Sequence, residues 1–404
     1  MRRLRARWSV LAHRVEAATP ADRDRTVDAL RAFAILGVVL GHWLVTALTA
    51  TADGGLSTTS PLSRMPWLAP VSWVFQTLSV FFLVGGHVAA RGQAAAREHG
   101  VSYGAWVGQR LSRLFRPVAA VLAVWAVAAG GMLLGGAEPA TVHALVRLVL
   151  SPLWFLLVFA ALTAATPLVA RLNPLWPLAV VACVDVWRFG LGGPEWIGWV
   201  NVAAGWLVPY TLGAAWSRGA FARRTPAVLL LAGGAAGTAA LVLWGGYPAS
   251  MVGVPGAAIS NLNPPTLAAA AFGLAQCGLA LLLREPLARA MRRPRAWAAV
   301  ALANLSAMTV FLWHQTAMMA VTALGLLAPA DLPGLHTVPD SPLWIAARLL
   351  WLPVFAAALA VCWTAFRAYE QAARPRRGTP SRTVAGSAVP AVRRPADEEM
   401  ITHV

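Results

Sequence analysis

Lysine is absent from this 404-residue chain, and charge of either sign is scarce, at 12% of positions. Soluble domains carry about 25% charged residues, so an ordinary water-exposed enzyme is excluded. Cysteine is nearly absent as well. Cys183, Cys277 and Cys362 each lie inside an apolar stretch without metal-ligand spacing, which excludes a disulfide framework and a readable metal site and leaves them as packing residues. Acidic residues number only 16 against 33 arginines, for a net charge of +17. In a soluble chain that excess would point to nucleic acid. Here most of the arginines stand in short runs between apolar stretches, which suits a membrane protein, and no nucleic-acid partner is expected.

What is abundant is apolar residue, 58% of the chain, with a mean hydropathy of +0.62. Apolar surface on that scale cannot all face one aqueous core, so much of it must face lipid. Runs of about 20 residues, long enough to cross a hydrocarbon layer of roughly 30 Å, lie near 27–48, 68–90, 117–135, 150–170, 175–190, 197–216, 226–244, 264–283, 301–325 and 342–364. Their continuous apolarity excludes the two-residue alternation of a membrane barrel. The fold class expected is all-α: a polytopic helical membrane protein with about ten transmembrane helices.

The run at 175–190 is short and contains Asp185 and Arg188, so arginine placement has to decide whether it crosses. Basic residues are retained on the cytoplasmic side. With ten crossings and both termini inside, only Arg64, Arg147, Arg188 and Arg348 fall outside or in outer halves. Omitting the fifth run would send the clusters at 218–224 and 284–295 outward. Trp67, Trp196, Trp199, Trp244 and Trp344 are expected at the outer interface, and Trp106 and Trp297 at the inner one. Residues 1–25 form a basic cytoplasmic arm whose stretch from Leu4 to Val15 suits an anionic leaflet. The membrane domain occupies 26–366. The tail at 367–404, rich in Pro, Arg, Ser and Gly, is expected to be disordered. Localisation is expected to be multi-pass in the cell membrane.

Ionisable groups inside a bilayer are costly and point to function. The first run carries Asp28, Arg31 and His42. His42 follows Arg31 by eleven positions, about three helical turns plus 20°, so both project from one face some 16 Å apart along the axis. Arg31 then stands at the cytoplasmic mouth, and His42 near or beyond mid-membrane. Imidazole is the side chain best suited to take and return a proton near neutral pH; a packed histidine bonded to another helix is the alternative. Gln76 falls mid-membrane in the second run. His87 falls near the inner face, where it either pairs with Asp28 or points at headgroups. Arg110, Arg113 and Arg116 recur every third residue of an expected helix that Pro117 stops, a cationic stripe suited to phosphate oxygens or to anionic lipid. His314 in the ninth run either lines the same cavity or packs in the core. Asn261 and Asn263, in an uncharged polar cluster before the eighth run, either bind acceptor hydroxyls or cap the span.

The stretch from Val27 to His42, with Arg31 and His42 separated by ten residues, resembles the opening of the membrane acyltransferase-3 family. Phe81-Phe82-Leu83-Val84-Gly85-Gly86 is similar to the family's second-span element, which usually has Ser where Gly85 stands. Arg113-Leu-Phe-Arg116-Pro117, Pro152-Leu-Trp154-Phe155-Leu156 and Phe311-Leu-Trp-His314 resemble later elements in family order. The resemblance implies transfer of an acyl group from cytoplasmic acyl-CoA to a hydroxyl of a sugar, lipid or small natural product, often at the outer face. It implies acyl-CoA as donor substrate, with no tightly bound cofactor and no metal. His42, with Arg31 and Asp28, is then the candidate catalytic set, as base or transient acyl carrier. Arg110, Arg113, Arg116 and His87 are candidate donor-binding residues, and Gln76, His314, Asn261 and Asn263 candidate cavity or acceptor residues. A proton-coupled transporter or carrier is the competing class, since it too would place ionisable groups inside a helical bundle.

Overall fold

A computed structural model describes residues 2–51 and 55–371, with side chains described from Trp8 to Glu370. The tail beyond residue 371 lies outside the described residues.

The chain opens with α1 (Arg2–Ala17). Instead of lying free on a leaflet, α1 docks on a later helix, α15: Ala12 is fully buried and Val15 packs with Ala29, Met291 and Trp297. Trp8, Val10 and Leu11 remain exposed. Helix α2 (Arg25–Val45) starts where Asp24 accepts hydrogen bonds from the Thr26 and Val27 amides, at 3.0 and 3.2 Å, satisfying donors that the first turn leaves unpaired. It ends at Thr46, where the chain enters a hairpin of β1 (Ala47–Ala50) and β2 (Leu56–Thr59), antiparallel with Ala47 opposite Thr59.

Short turns α3 (Pro61–Arg64) and α4 (Ala69–Ser72) lead to a break at Gln76–Thr77 before α5 (Leu78–Glu98). Helix α6 runs unbroken over Tyr103–Leu134 with Pro117 inside it, so Pro117 does not stop the arginine-bearing helix. Proline removes one backbone bond, and a membrane helix with packed neighbours tolerates that loss. Helices α7 (Pro139–Leu150) and α8 (Leu153–Ala164) follow, broken at Ser151-Pro152, then α9 (Thr166–Val169) and α10 (Leu175–Asp185). Next come α11 (Val200–Ser217), α12 (Thr225–Leu243), and α13 (Leu267–Leu282) bent by 47° from α14 (Arg284–Ala290). The chain closes with α15 (Pro294–Leu305), α16 (Ala307–Gly325) and α17 (Pro342–Gln371). Helix α17 carries the folded domain past the expected boundary at 366.

The protein is a polytopic helical membrane protein. By length and apolarity, seven helical segments of the described residues qualify as membrane spans, or eight if the bent α13–α14 pair is one span. The two expected runs outside that set are 175–190 and 197–216. The first is an 11-residue helix continued by a π-helical turn, Val186–Gly190, and the second is α11, 18 residues long and mostly buried.

Small residues set the closest helix crossings. A Cβ at Gly86 would run into the Tyr210 carbonyl, and one at Gly213 into the Leu83 carbonyl, so α5 and α11 meet backbone to backbone. Above them Phe81, Phe82, Phe155, Phe159 and Trp206 form an aromatic core, with Phe82 stacked on Trp206 at 4.9 Å. Trp67, Trp196, Trp199 and Trp244 are exposed, as interfacial anchors should be. Trp106, Trp297 and Trp344 are instead buried: Trp297 donates to Thr19 Oγ1 at 2.7 Å and Trp344 to the Thr337 carbonyl at 3.1 Å. Of the cysteines Cys277 is buried, Cys362 is half-buried, and Cys183 is exposed rather than packed.

Candidate functional site

His42 occupies the last turn of α2 and is half-buried. Helix α16 supplies its surroundings. The side-chain amide of Gln315 lies 2.9 Å from His42 Nδ1, and the ring centroids of His42 and His314 are 5.1 Å apart. His314 is fully enclosed, and its Nδ1–H donates to the Phe311 carbonyl at 2.6 Å. A carbonyl can only accept, so this bond leaves the lone pair on His314 Nε2, which has no partner. Of the two imidazoles only His42 is partly exposed.

The backbone that carries His42 is clamped from behind. Trp43 donates its indole N–H to the His314 carbonyl at 2.9 Å. Arg348 of α17 is fully buried and donates to the carbonyls of Trp43, Thr46 and Gly334 at 2.7, 2.8 and 2.9 Å, with Met318 Sδ at 2.9 Å. The carbonyls at a helix C-terminus lack intrahelical donors and carry partial negative charge, so a buried guanidinium there is satisfied without a carboxylate. Its charge also meets the rings of Phe355 and Trp344 at 4.7 and 5.4 Å. On the far side of α16 the Trp125 indole N–H donates to Thr316 Oγ1 at 3.0 Å, and at the N-terminus of α16 the Glu370 carboxylate accepts from the Met308 and Thr309 amides, both at 3.1 Å.

The other end of α2 is ionic. Asp28 is buried and accepts from Arg23 at 2.5 and 3.0 Å, while Arg31 lies 3.5 Å away with its side chain 28% exposed. Asp28 is about 21 Å along the axis from His42, so it orients arginines and is not a partner of the imidazole. Arg31, about 16 Å from His42, would act on it by about 1 kcal/mol in an effective dielectric of about 20.

Arg110 is half-buried, lies over the Trp106 ring at 5.1 Å, and donates to the Val88 carbonyl at 3.4 Å. Arg113 and Arg116 are exposed. His87 does not pair with Asp28. Its ring packs on Trp216 at 4.0 Å, with neither nitrogen bonded, so it is part of the α5–α11 contact.

The polar residues expected on the outer side serve the fold. Asn261 is fully buried, donates to the carbonyls of Pro248 and Ser250 at 2.6 and 3.0 Å, and accepts from Thr266 Oγ1 at 2.6 Å, so its amide is not free for an acceptor. Asn263 is exposed. Gln76 donates to the Met251 carbonyl at 2.8 Å and its own carbonyl accepts from Gln276, which pins the break before α5. Asp185 accepts from Asn201, Tyr247 and the Leu267 amide at 3.0, 2.9 and 2.7 Å, tying α10 to α11, α13 and the loop between α12 and α13. Burial, with the Asp185 carboxylate next, pushes the Tyr247 phenol well above its usual range.

A family model described as an acyltransferase domain matches residues 24–367, nearly the whole described bundle. The chain belongs to the acyltransferase 3 family. Neither the curated proteins nor the solved structures give a match to the sequence. The family's Arg–His pair is here one helix with two differently built ends. Its second-span element departs at Gly85 for a packing reason: a Cβ there would meet the edge of Phe159, which fills the space a serine would need. Gln315 and Arg348 have no sequence signal beyond their rarity inside apolar runs. Gln315 follows His314 by one residue, a spacing that does not put two side chains on one helix face, and only the approach of α2 brings it to His42.

Proposed function

We propose that this membrane acyltransferase moves an acyl group from cytoplasmic acyl-CoA to a hydroxyl of a sugar, lipid or small natural product, with His42 as the base that takes the hydroxyl proton. The observation that carries the reading is the single half-buried imidazole, among the described residues, at the far end of the helix whose near end presents Arg31 on Asp28. Guanidinium groups match phosphate oxygens bidentately, so the donor's phosphates sit at Arg31, Arg110 and the exposed Arg113 and Arg116. The thioester then extends along α2 toward His42. The hydroxyl oxygen attacks the thioester carbon as its proton passes to the imidazole, the C–S bond breaks, and the thiolate takes that proton.

The topology that goes with this reading has ten crossings in the cell membrane and both termini cytoplasmic, with α10 and α11 as the short pair. Reporter fusions at Gly219 and Arg289 are both expected to read cytoplasmic, and an outward reading at either rejects it.

His42→Gln is the deciding variant for the chemistry, because it keeps size and hydrogen bonding but cannot take a proton. Transfer from labelled acyl-CoA is expected to fall by about 10²–10⁴ in a protein of unchanged thermal stability. Near-normal transfer rejects His42 as base. A hydroxylamine-sensitive adduct trapped on His42 of the wild type replaces the base with an acyl carrier. Active import of a solute without any transfer from acyl-CoA favours a carrier protein.

A further inference from the structure

Arg188 is a cation without a counterpart in the fold. It is half-buried in the π-helical turn Val186–Gly190 that continues α10, its guanidinium lies over the Phe189 ring at 4.7 Å, and a Cβ at Gly198 would meet its Nη1 at 3.1 Å. Packing therefore fixes the group while its donors stay free: among the described residues it makes no salt bridge and no hydrogen bond. The carboxylate nearest in sequence, Asp185, is committed to Asn201, Tyr247 and the Leu267 amide. The level of Arg188 follows from α12, which is long and apolar enough to cross the membrane and ends at Leu243. The next residue, Trp244, is exposed, and the Tyr247 ring just beyond lies 5.7 Å from that of Phe189. Tryptophan marks the lipid–water boundary, so Arg188 stands at headgroup level.

Beneath it, α10, α12 and α13 leave an open groove of about 520 Å³, with Leu175, Ala179 and Ala182 of α10, Ala240 of α12 and Ala271 of α13 in its walls and no polar side chain lining it. Helix α10 has 11 residues, about 16 Å of helix against a hydrocarbon layer of roughly 30 Å, and alanines on three sides leave the space unfilled. Leu267 also lines the groove, and its amide donates to Asp185, three residues before Arg188. Groove and guanidinium are therefore two parts of one place, an apolar slot below and a free cation above. From this juxtaposition we infer that the site binds an anionic phospholipid, with one acyl chain in the groove and the phosphate on Arg188. Guanidinium matches phosphate oxygens bidentately. A chain already in lipid gains no hydrophobic driving force by entering the groove, so the slot admits the chain and the phosphate contact supplies the preference. A zwitterionic headgroup brings its own cation to the phosphate and gains less from Arg188. The site is built on α10, α12 and α13, apart from α2 and α16, and the inference is independent of the reading of His42.

Full-length protein in phosphatidylcholine nanodiscs tests this, doped with phosphatidylglycerol that carries a photoreactive diazirine in one acyl chain, the crosslinked peptides being mapped by mass spectrometry. Labelling is expected on α10, α12 and α13 around the groove. Phosphatidylcholine carrying the same diazirine, doped at the same level, should label there about tenfold less. Arg188→Gln should bring phosphatidylglycerol down to that lower level, and Arg188→Lys, which keeps the charge but loses the planar fork, should fall between. Ala179→Phe, at an exposed position of the wall, fills the slot and should remove groove labelling with Arg188 intact. Thermal unfolding checks that each variant is folded, and the comparison of the two lipids on the wild type decides without any variant. Equal groove labelling by both lipids, wild-type labelling of a folded Arg188→Gln, or labelling that avoids the groove altogether overturns the proposal and leaves an ordinary unselective lipid contact. Acyl transfer is not the readout, so each of these outcomes leaves the role of His42 untouched.

Discussion

The two ends of α2 are built on opposite principles. At the His42 end the named contacts are hydrogen bonds and ring packing inside the protein, and the one formal charge, Arg348, is bonded to carbonyls. At the Arg31 end the contacts are ionic and partly exposed, with Arg23 and Arg31 both on the buried carboxylate of Asp28. On the proposed function the His42 end is the proton-transfer centre and the Arg31 end the donor site. A proton-transfer centre gains from fixed geometry, because a misplacement of about 1 Å can cost on the order of 10²-fold in rate. A donor site must instead take up and release a large polyanion each turnover, and an open cationic surface does this without rebuilding the fold.

The most forceful way to break that contrast is to remove the charge at the rigid end. Arg348→Met strands three buried carbonyls and is expected to cost about 3–5 kcal/mol of stability, read as a lower unfolding temperature with activity lost in parallel. A variant that unfolds like wild type would show that the clamp is dispensable. At the open end, Arg110→Ala is expected to raise the KM for acyl-CoA about tenfold with kcat and stability nearly unchanged, and the effect should shrink as salt rises. Arg113→Ala, at a fully solvated position, should do the same more weakly. A fall in kcat alone for Arg110→Ala would place it with the chemistry and dissolve the division of labour. The smallest effect belongs to Glu370→Gln, which keeps shape but removes the charge capping α16. About 1 kcal/mol of stability is expected to go, measured by thermal unfolding, with the KM for acyl-CoA unaffected.

Much of this was legible in the chain. The spacing of Arg31 and His42 places them on one helix face at opposite ends because α-helical geometry is nearly independent of context. The long apolar runs announce helices because no other continuous segment satisfies its own backbone in lipid. Pro117 misled because its local cost was weighed without the neighbours that support α6. Asn261 and Gln76 misled in a different way. A polar side chain in an apolar run is visible in sequence, but whether it faces a cavity or a backbone carbonyl depends on how the loop between α12 and α13 folds, around Asn261 itself and against the distant Gln76. His87 looked available to Asp28 because both belong near one membrane face, yet its own helix face turns it toward Trp216.

The sequence by itself determined the class of the protein, the helix that carries both Arg31 and His42, and the polarity of that helix from cationic mouth to imidazole, because these follow from hydropathy, helical periodicity and the chemistry of single residues. Only the tertiary structure decided what surrounds the imidazole. Gln315 and His314 reach His42 across more than 270 residues of chain and Arg348 holds its helix across more than 300, by hydrogen bonds whose partners have no fixed spacing in sequence. Periodicity reports which face of an element is apolar. It is silent on which element that face meets, and the surroundings of His42 depend on that meeting.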